Sequence, residues 1–221
     1  MSRADGHIYE LEAHVVKPEC TEDYLKEAAV HLTRVSGSKE FPVELIGSWT
    51  TVIGSPQNQT IHLWRYSGYK DANTAILALR NDKIWKEYTK SRDKMILTSS
   101  NQIILPFTFW DIGVSPTKTP KGLFEIRSYA LRPGTLIEWG QQWEKGIKYR
   151  KDEAIGGWFS QIGIMHQVHH MWAYKDLHER HETRQSNWQL PGWDECVQKT
   201  VPLIRHMETR VMLPAPYSPL Q

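Results

Sequence analysis

Hydrophobic and polar residues alternate along Ile8-Tyr9-Glu10-Leu11-Glu12-Ala13-His14-Val15-Val16, the two-residue period of a strand with one packed face. After Lys17-Pro18 the period changes. Tyr24, Leu25, Ala28, Ala29, Leu32 and Val35 recur at helical spacing, which predicts a helix from about Thr21 to Val35, stopped by Ser36-Gly37-Ser38. Two extended runs follow, Val43 to Ile53 and Thr60 to Tyr66, joined by a stretch rich in turn formers. Asp71 to Leu79 and Asp82 to Leu97 read as consecutive helices, each opened by an Asp suited to capping. Gln102 to Trp110 reads as a closing strand in which Pro106 argues for an edge or a bulge.

The order then repeats. Leu123 to Leu131 is a strand, Thr135 to Arg150 a helix carrying Leu136, Trp139, Trp143 and Ile147, and Gly156 to Tyr174 a hairpin. Asp176 to Trp188 and Trp193 to about Ile204 are paired helices, and His206 to Leu213 is the last strand. The hairpins carry the echo in their residues. Gly47-Ser48-Trp49 through Ile53-Gly54 matches Gly157-Trp158 through Ile162-Gly163 with Trp49 set on Trp158, and His62-Leu63-Trp64-Arg65-Tyr66 matches His170-Met171-Trp172-Ala173-Tyr174. The expected organisation is therefore α+β: two tandem ferredoxin-like domains at 7–110 and 122–214, a linker at 111–121 and a tail at 215–221. Helices cover one face of such a sheet, and two copies can hide the other faces by setting their antiparallel sheets against each other in a barrel-like sandwich.

Strand parity sorts the candidate chemistry. Phe124, Ile126, Ser128 and Ala130 form the more apolar set and are expected under the helices. That leaves Glu125, Arg127 and Tyr129 facing the other sheet, with Glu10, Glu12 and His14 in the corresponding places. His170, Trp172 and Tyr174 share a face, as do His62, Trp64 and Tyr66; parity does not choose between the space among the sheets and the space beneath the helices. These residues form the candidate pocket: His170, Trp172, Tyr174, Glu125, Arg127, Tyr129, His62 and Trp64. Satisfied core histidines and an internal ion-pair lattice, with Glu125 and Arg127 reaching Arg205, His206 or Glu208, are the structural alternative.

Charge and composition narrow the function. Lys plus Arg number 27 against 25 Asp plus Glu, so the net charge of +2 gives no electrostatic reason to expect nucleic acid or a membrane surface as partner. No apolar run reaches the length of a membrane span. Cys20 and Cys196 occupy unmatched positions and suggest no disulfide framework. The ten tryptophans give each half ample apolar surface for a core. No metal site is expected: His166 and His170, read as one strand, would sit about 13 Å apart, and His178 with His181 lacks a third ligand. Nucleophile elbow, phosphate-cradling loop and CxxC are all missing from the sequence.

Long segments carry a resemblance to a known family. Leu123 to Gly140, Gly156 to Gly163, Val168 to Leu177, Gly192-Trp193-Asp194-Glu195, Val201 to Glu208, His62 to Gly68 and Asn101 to Leu105 together resemble the NIPSNAP family, and the likeness runs from His7 to Gln221. The resemblance implies a pair of dimeric alpha+beta barrel domains. It also implies a non-enzymatic mitochondrial (matrix) protein acting through protein–protein contacts, in mitochondrial quality control by binding autophagy receptors or in vesicle traffic. The presequence usual in the family has no match here, and without it the protein reads as cytoplasmic. The family supplies no catalytic set to carry over. The competing expectation is a small-molecule or haem-binding module, monooxygenase-like, with His170 or His62 as axial ligand and Arg127 as an anion contact. A homodimer is left open by the sequence.

Overall fold

In the computed structural model, residues 6–110, 122–150 and 153–221 are described; the expected linker at 111–121 lies outside them. Eight strands form one closed antiparallel barrel. The first half supplies β1 (Ile8–Val16), β2 (Glu44–Ile53), β3 (Gln59–Tyr66) and β4 (Ile96–Pro106); the second supplies β5 (Leu123–Leu131), β6 (Ala154–Ile162), β7 (Gln167–Tyr174) and β8 (Ile204–Pro214). Round the barrel the order is β1-β3-β2-β8-β5-β7-β6-β4. Each half is thus a four-stranded ferredoxin-like sheet, and the two face each other across a shared interior. The halves are joined at two seams, β2 with β8 and β4 with β6. Helices α1 (Thr21–Gly37), α2 (Tyr69–Asn81) and α3 (Lys83–Met95) belong to the first unit, and α4 (Leu136–Gly146), α5 (Leu177–Asn187) and α6 (Trp193–Thr200) to the second.

Three apolar layers hold this together. The barrel interior is filled from both halves by Leu11, Leu63, Ile126, Met171 and Met212 among others, all buried. Ring contacts cross it: Tyr9 meets Trp158 at 5.7 Å and Trp49 meets Phe124 at 5.4 Å. Outside, one layer lies between the first sheet and α1–α3, the other between the second sheet and α4–α6. The tail crosses back, with Ala215 N donating to Ser48 O and Ser48 N to Ser218 Oγ, and Tyr217 packs into the first helical layer.

Several expectations need correcting. The parity assignment is inverted: Phe124 and Ile126 point into the barrel, whereas Glu125, Arg127 and Tyr129, like Glu10, Glu12 and His14, lie beneath the helices. The barrel interior is closed from both sides by the two sheets, and Phe124 and Ile126 join its apolar core. Strand β4 begins at Ile96, inside the stretch read as helix, because its polar run Thr98-Ser99-Ser100-Asn101 carries no alternation yet forms a full ladder with β1. Pro106 does not mark an edge; β4 lies between β1 and β6, and Pro106 is its last residue, opposite Trp158. Asp82 caps α3 by accepting from Trp85 N, but Asp71 sits within the first turn of α2, whose cap is Gly68. Thr135–Arg150 shortens to α4 followed by a 3-10 turn at Ile147–Tyr149, and α6 ends at Thr200 before a turn carrying Pro202. His166 has a left-handed backbone in the β6–β7 turn rather than a place on a strand.

Candidate functional site

The candidate residues gather in two places, one per unit. In the first unit, the β1–β3 register sets Glu12 opposite His62 and Glu10 opposite Trp64. The His62 ring is fully buried and both its nitrogens are engaged: Nε2 lies 2.8 Å from the Tyr24 hydroxyl and Nδ1 2.8 Å from Ser48 Oγ. Tyr24 bridges on to His14 Nδ1 at 2.7 Å, and His14 Nε2 lies 3.0 Å from Glu12 Oε1. Trp64 Nε1 donates to Glu12 and Tyr66 to Glu10. Burial pushes the Glu12 carboxyl up, but the His14 hydrogen bond and the charges around it outweigh that and hold it well below the carboxylate range. The same burial, with the charges of His14 and Arg92, pushes the His62 imidazole down to about 3. This is a closed web in which each polar group has found a protein partner.

The second unit keeps the register and changes the residues. Glu125 lies opposite Trp172 and Arg127 opposite His170, so Arg127 stands where the first unit has Glu12. Gly157 pairs with His170 where Ser48 pairs with His62. The hydroxyl is therefore missing, and a Cβ at Gly157 would lie 2.4 Å from the Trp110 ring that occupies its space. Buried Glu125 is held by Arg127 Nη1 at 3.0 Å, by Arg180 in a two-pronged contact at 2.7 and 2.9 Å, and by Thr209 Oγ1 at 2.6 Å. Burial raises this carboxyl, yet the Arg180 bond and the Arg127 charge bring it down to about 2. The ion-pair lattice is real, but its partners are Arg180 and Thr209 instead of Arg205, His206 or Glu208. Arg127 Nε also donates to Tyr129 at 2.6 Å.

His170 is the departure from the first unit. It is wholly buried, and among the described residues neither ring nitrogen has a hydrogen-bond partner. Trp110 and Trp143 stand 4.8 Å from it centre to centre and Trp139 5.2 Å. Burial first, then the Arg127, His169 and Arg150 charges, keep it neutral.

Above these rings, between the sheet and α4–α6, lies a cavity of about 230 Å³. Its aromatic wall is Trp139, Trp143, Trp172 and Trp193, and its rim includes the exposed Trp188, Val201 and Met207. Arg127, Arg150 and Arg184 line it as well. Five N–H donors of lining residues have no partner among the described residues: the indole nitrogens of Trp139, Trp143 and Trp172, Arg150 Nε and Asn187 Nδ2. Arg150 is 3% exposed. It stacks 4.3 Å from the Trp172 ring and donates to the Tyr174 hydroxyl at 2.6 Å, a phenol that burial keeps protonated. Arg184 lies in the field of Arg127, Arg150 and Arg180, and burial together with that repulsion lowers its affinity for a proton.

Of the candidate residues, His170, Trp172, Tyr174, Glu125, Arg127 and Tyr129 come together here, while His62 and Trp64 belong to the closed web of the other unit. The cavity residues missed in the sequence are Arg150, Arg184, Asn187 and the pair Trp139–Trp143. The last pair had a signal, four residues apart on one helix face; the arginines had none, since their convergence depends on how α5 docks. The residues do not fit a haem. His62 has both nitrogens engaged, and His170 is walled in by Trp110, Trp139 and Trp143, so neither can present a nitrogen to a macrocycle.

Tandem ferredoxin-like units closed into one barrel, with a cavity beneath the helices of the second, define the class. A family model described as NIPSNAP matches residues 9–110 and 124–219. Protein NipSnap homolog 2 of Danio rerio is 49% identical over 99% of this chain and 77% of its own length, and the Homo sapiens protein of that name is 46% identical over 98% and 76%. The chain belongs to the NIPSNAP family. A putative monooxygenase from Lactobacillus acidophilus superposes with a TM-score of 0.67, covering 95% of this chain and 94% of its own, at 9% identity; it shares the fold.

Proposed function

We propose that this NIPSNAP chain is a non-catalytic small-molecule-binding protein whose site is the cavity beneath α4–α6. The observation that carries the reading is the contrast between the units. Where the first unit answers both nitrogens of the buried His62 with protein hydroxyls, the second leaves both nitrogens of His170 and five N–H donors of cavity-lining residues without a partner among the described residues. Buried donors that no protein group satisfies are costly, and a ligand or ordered water restores them. Binding is favoured over catalysis by the lining itself. Its hydroxyls are engaged, Tyr129 accepting from Arg127 and Thr200 donating to Cys196 O, and its charges are guanidiniums that cannot exchange protons.

A panel of single-ring compounds, charged and neutral, should reveal at least one that shifts the indole N–H resonances of nitrogen-labelled protein. Val201→Trp at the exposed rim should abolish the shift without unfolding the chain. If no compound moved any indole resonance, the reading would be lost.

A second reading keeps the interaction role, in mitochondria, that the family resemblance implies. Supporting it are large apolar side chains left open on the α2–α3 hairpin, where Tyr69, Ile76, Leu77 and Ile84 are each about half exposed. A pull-down of autophagy receptors that responds to Ile76→Glu and Ile84→Glu would sustain it; one indifferent to both would remove this surface.

A further inference from the structure

Resting on the cavity reading above, we propose that the ligand is a small organic carboxylate. One ring lies against the tryptophans and the anionic arm reaches Arg150 and Arg184.

Arg150 carries the argument. A guanidinium cannot shed its proton to escape burial, so a buried arginine requires a counter-charge. Among the described residues no carboxylate comes within ion-pair distance of Arg150 or Arg184, and Glu125 is already shared by Arg127, Arg180 and Thr209. Tyr174, which does contact Arg150, offers a neutral hydroxyl. Arg184 thus lies in the field of three other guanidiniums, those of Arg127, Arg150 and Arg180, with Glu125 as the opposing charge.

The first unit shows what has changed. At the position of Arg127 it holds Glu12, an acid in place of a base, which supplies the negative charge from the chain itself. The second unit has reversed the sign at that place, which an anionic ligand would balance. Every unpartnered lining atom is a donor as well, so an acceptor-only group suits them where an amide or an alcohol, carrying donors of its own, does not. Size sets the rest: an apolar cavity of about 150 Å³ holds one benzene. A space of about 230 Å³ between indole faces therefore takes a single ring with a short arm.

The test compares two probes of equal shape, phenylacetate and phenylacetamide, by indole N–H shifts. Phenylacetate should bind at least about tenfold more tightly, the margin expected of a charge-assisted contact in a desolvated site. Arg184→Met, at a partly exposed position, and Arg150→Met should each remove most of that preference while leaving binding of the amide. Should the amide match the acid in the unaltered protein, the carboxylate inference falls and the cavity reading stands. Should the preference survive both substitutions, the anion is held elsewhere and the inference is overturned. If neither probe shifts any indole, both the inference and the cavity reading fail.

Discussion

Single residues decide the acid response of this protein. His62, His169 and His170 are all buried and all bind protons less readily than a free imidazole: His62 titrates at about 3 and His169 at about 4, each through burial first. Unfolding returns them to an ordinary value near 6.5. Below that pH the unfolded chain takes up protons that the folded chain refuses, so stability is present above about 6.5 and lost as the pH falls toward 4. Glu12 and Glu125, whose folded carboxyls titrate below their unfolded ones, add a further loss once the pH passes below about 4.5. Melting temperature measured from pH 8 to 4 should begin to drop near 6.5, where the unfolded imidazoles start to take up protons. Replacing His62 by Gln should shift the onset. A melting temperature flat down to pH 5 would contradict this account. Strand parity put His62 with Trp64 and His170 with Trp172, each pair on one face, but did not choose which space that face borders. It could not say that His62 would be satisfied and His170 left bare, because the difference rests on Ser48 against Gly157 and on which rings the helices bring down.

At the scale of elements, one hairpin design is used twice. In β2 a Cβ at Gly47 would lie 2.3 Å from the Trp49 ring, and in β6 a Cβ at Gly156 would lie 2.4 Å from the Trp158 ring. Each tryptophan folds back over the glycine two residues before it and turns its buried ring toward the barrel interior. The pleat alone would put the two residues' side chains on one face, and only a residue without a side chain leaves room for the ring. Gly47→Ala and Gly156→Ala should each destabilise by about 1 to 3 kcal/mol, the cost of overpacking a tight core. Chemical denaturation would measure both, and equal stability in either variant would show that the ring can move aside. The repeat was legible because such a constraint writes itself into adjacent letters. The first part of β4, ahead of the strand expected from Gln102, was not, since its ladder is satisfied by backbone atoms that leave no mark on Thr98-Ser99-Ser100-Asn101. The inverted parity of β5 has a similar origin. Phe124 and Ile126 mark a dry face, but two dry-capable spaces border each sheet, and choosing between them requires knowing that the halves close on each other.

At the scale of the molecule, the halves are mutually dependent. Tyr9 rests on Trp158 and Trp49 on Phe124 across the shared interior, and both seams are hydrogen-bonded ladders between halves. A fragment spanning 7–110 alone would bare the inner faces of Leu11, Trp49 and Leu63 and both outer strands of its sheet. Expressed by itself it should self-associate at micromolar concentration, by light scattering, where an equimolar mixture with 122–221 should recover a particle of the full chain's mass. A stable monomeric fragment would show that the interior contributes little.

The closed ring also bears on misfolding. Because β2 meets β8 and β4 meets β6, a passing extended segment finds no bare backbone to copy. Fibrous deposits of this protein would thus need one of those two joints to unzip beforehand, so their lag time should follow the stability of the joints more closely than the protein's concentration.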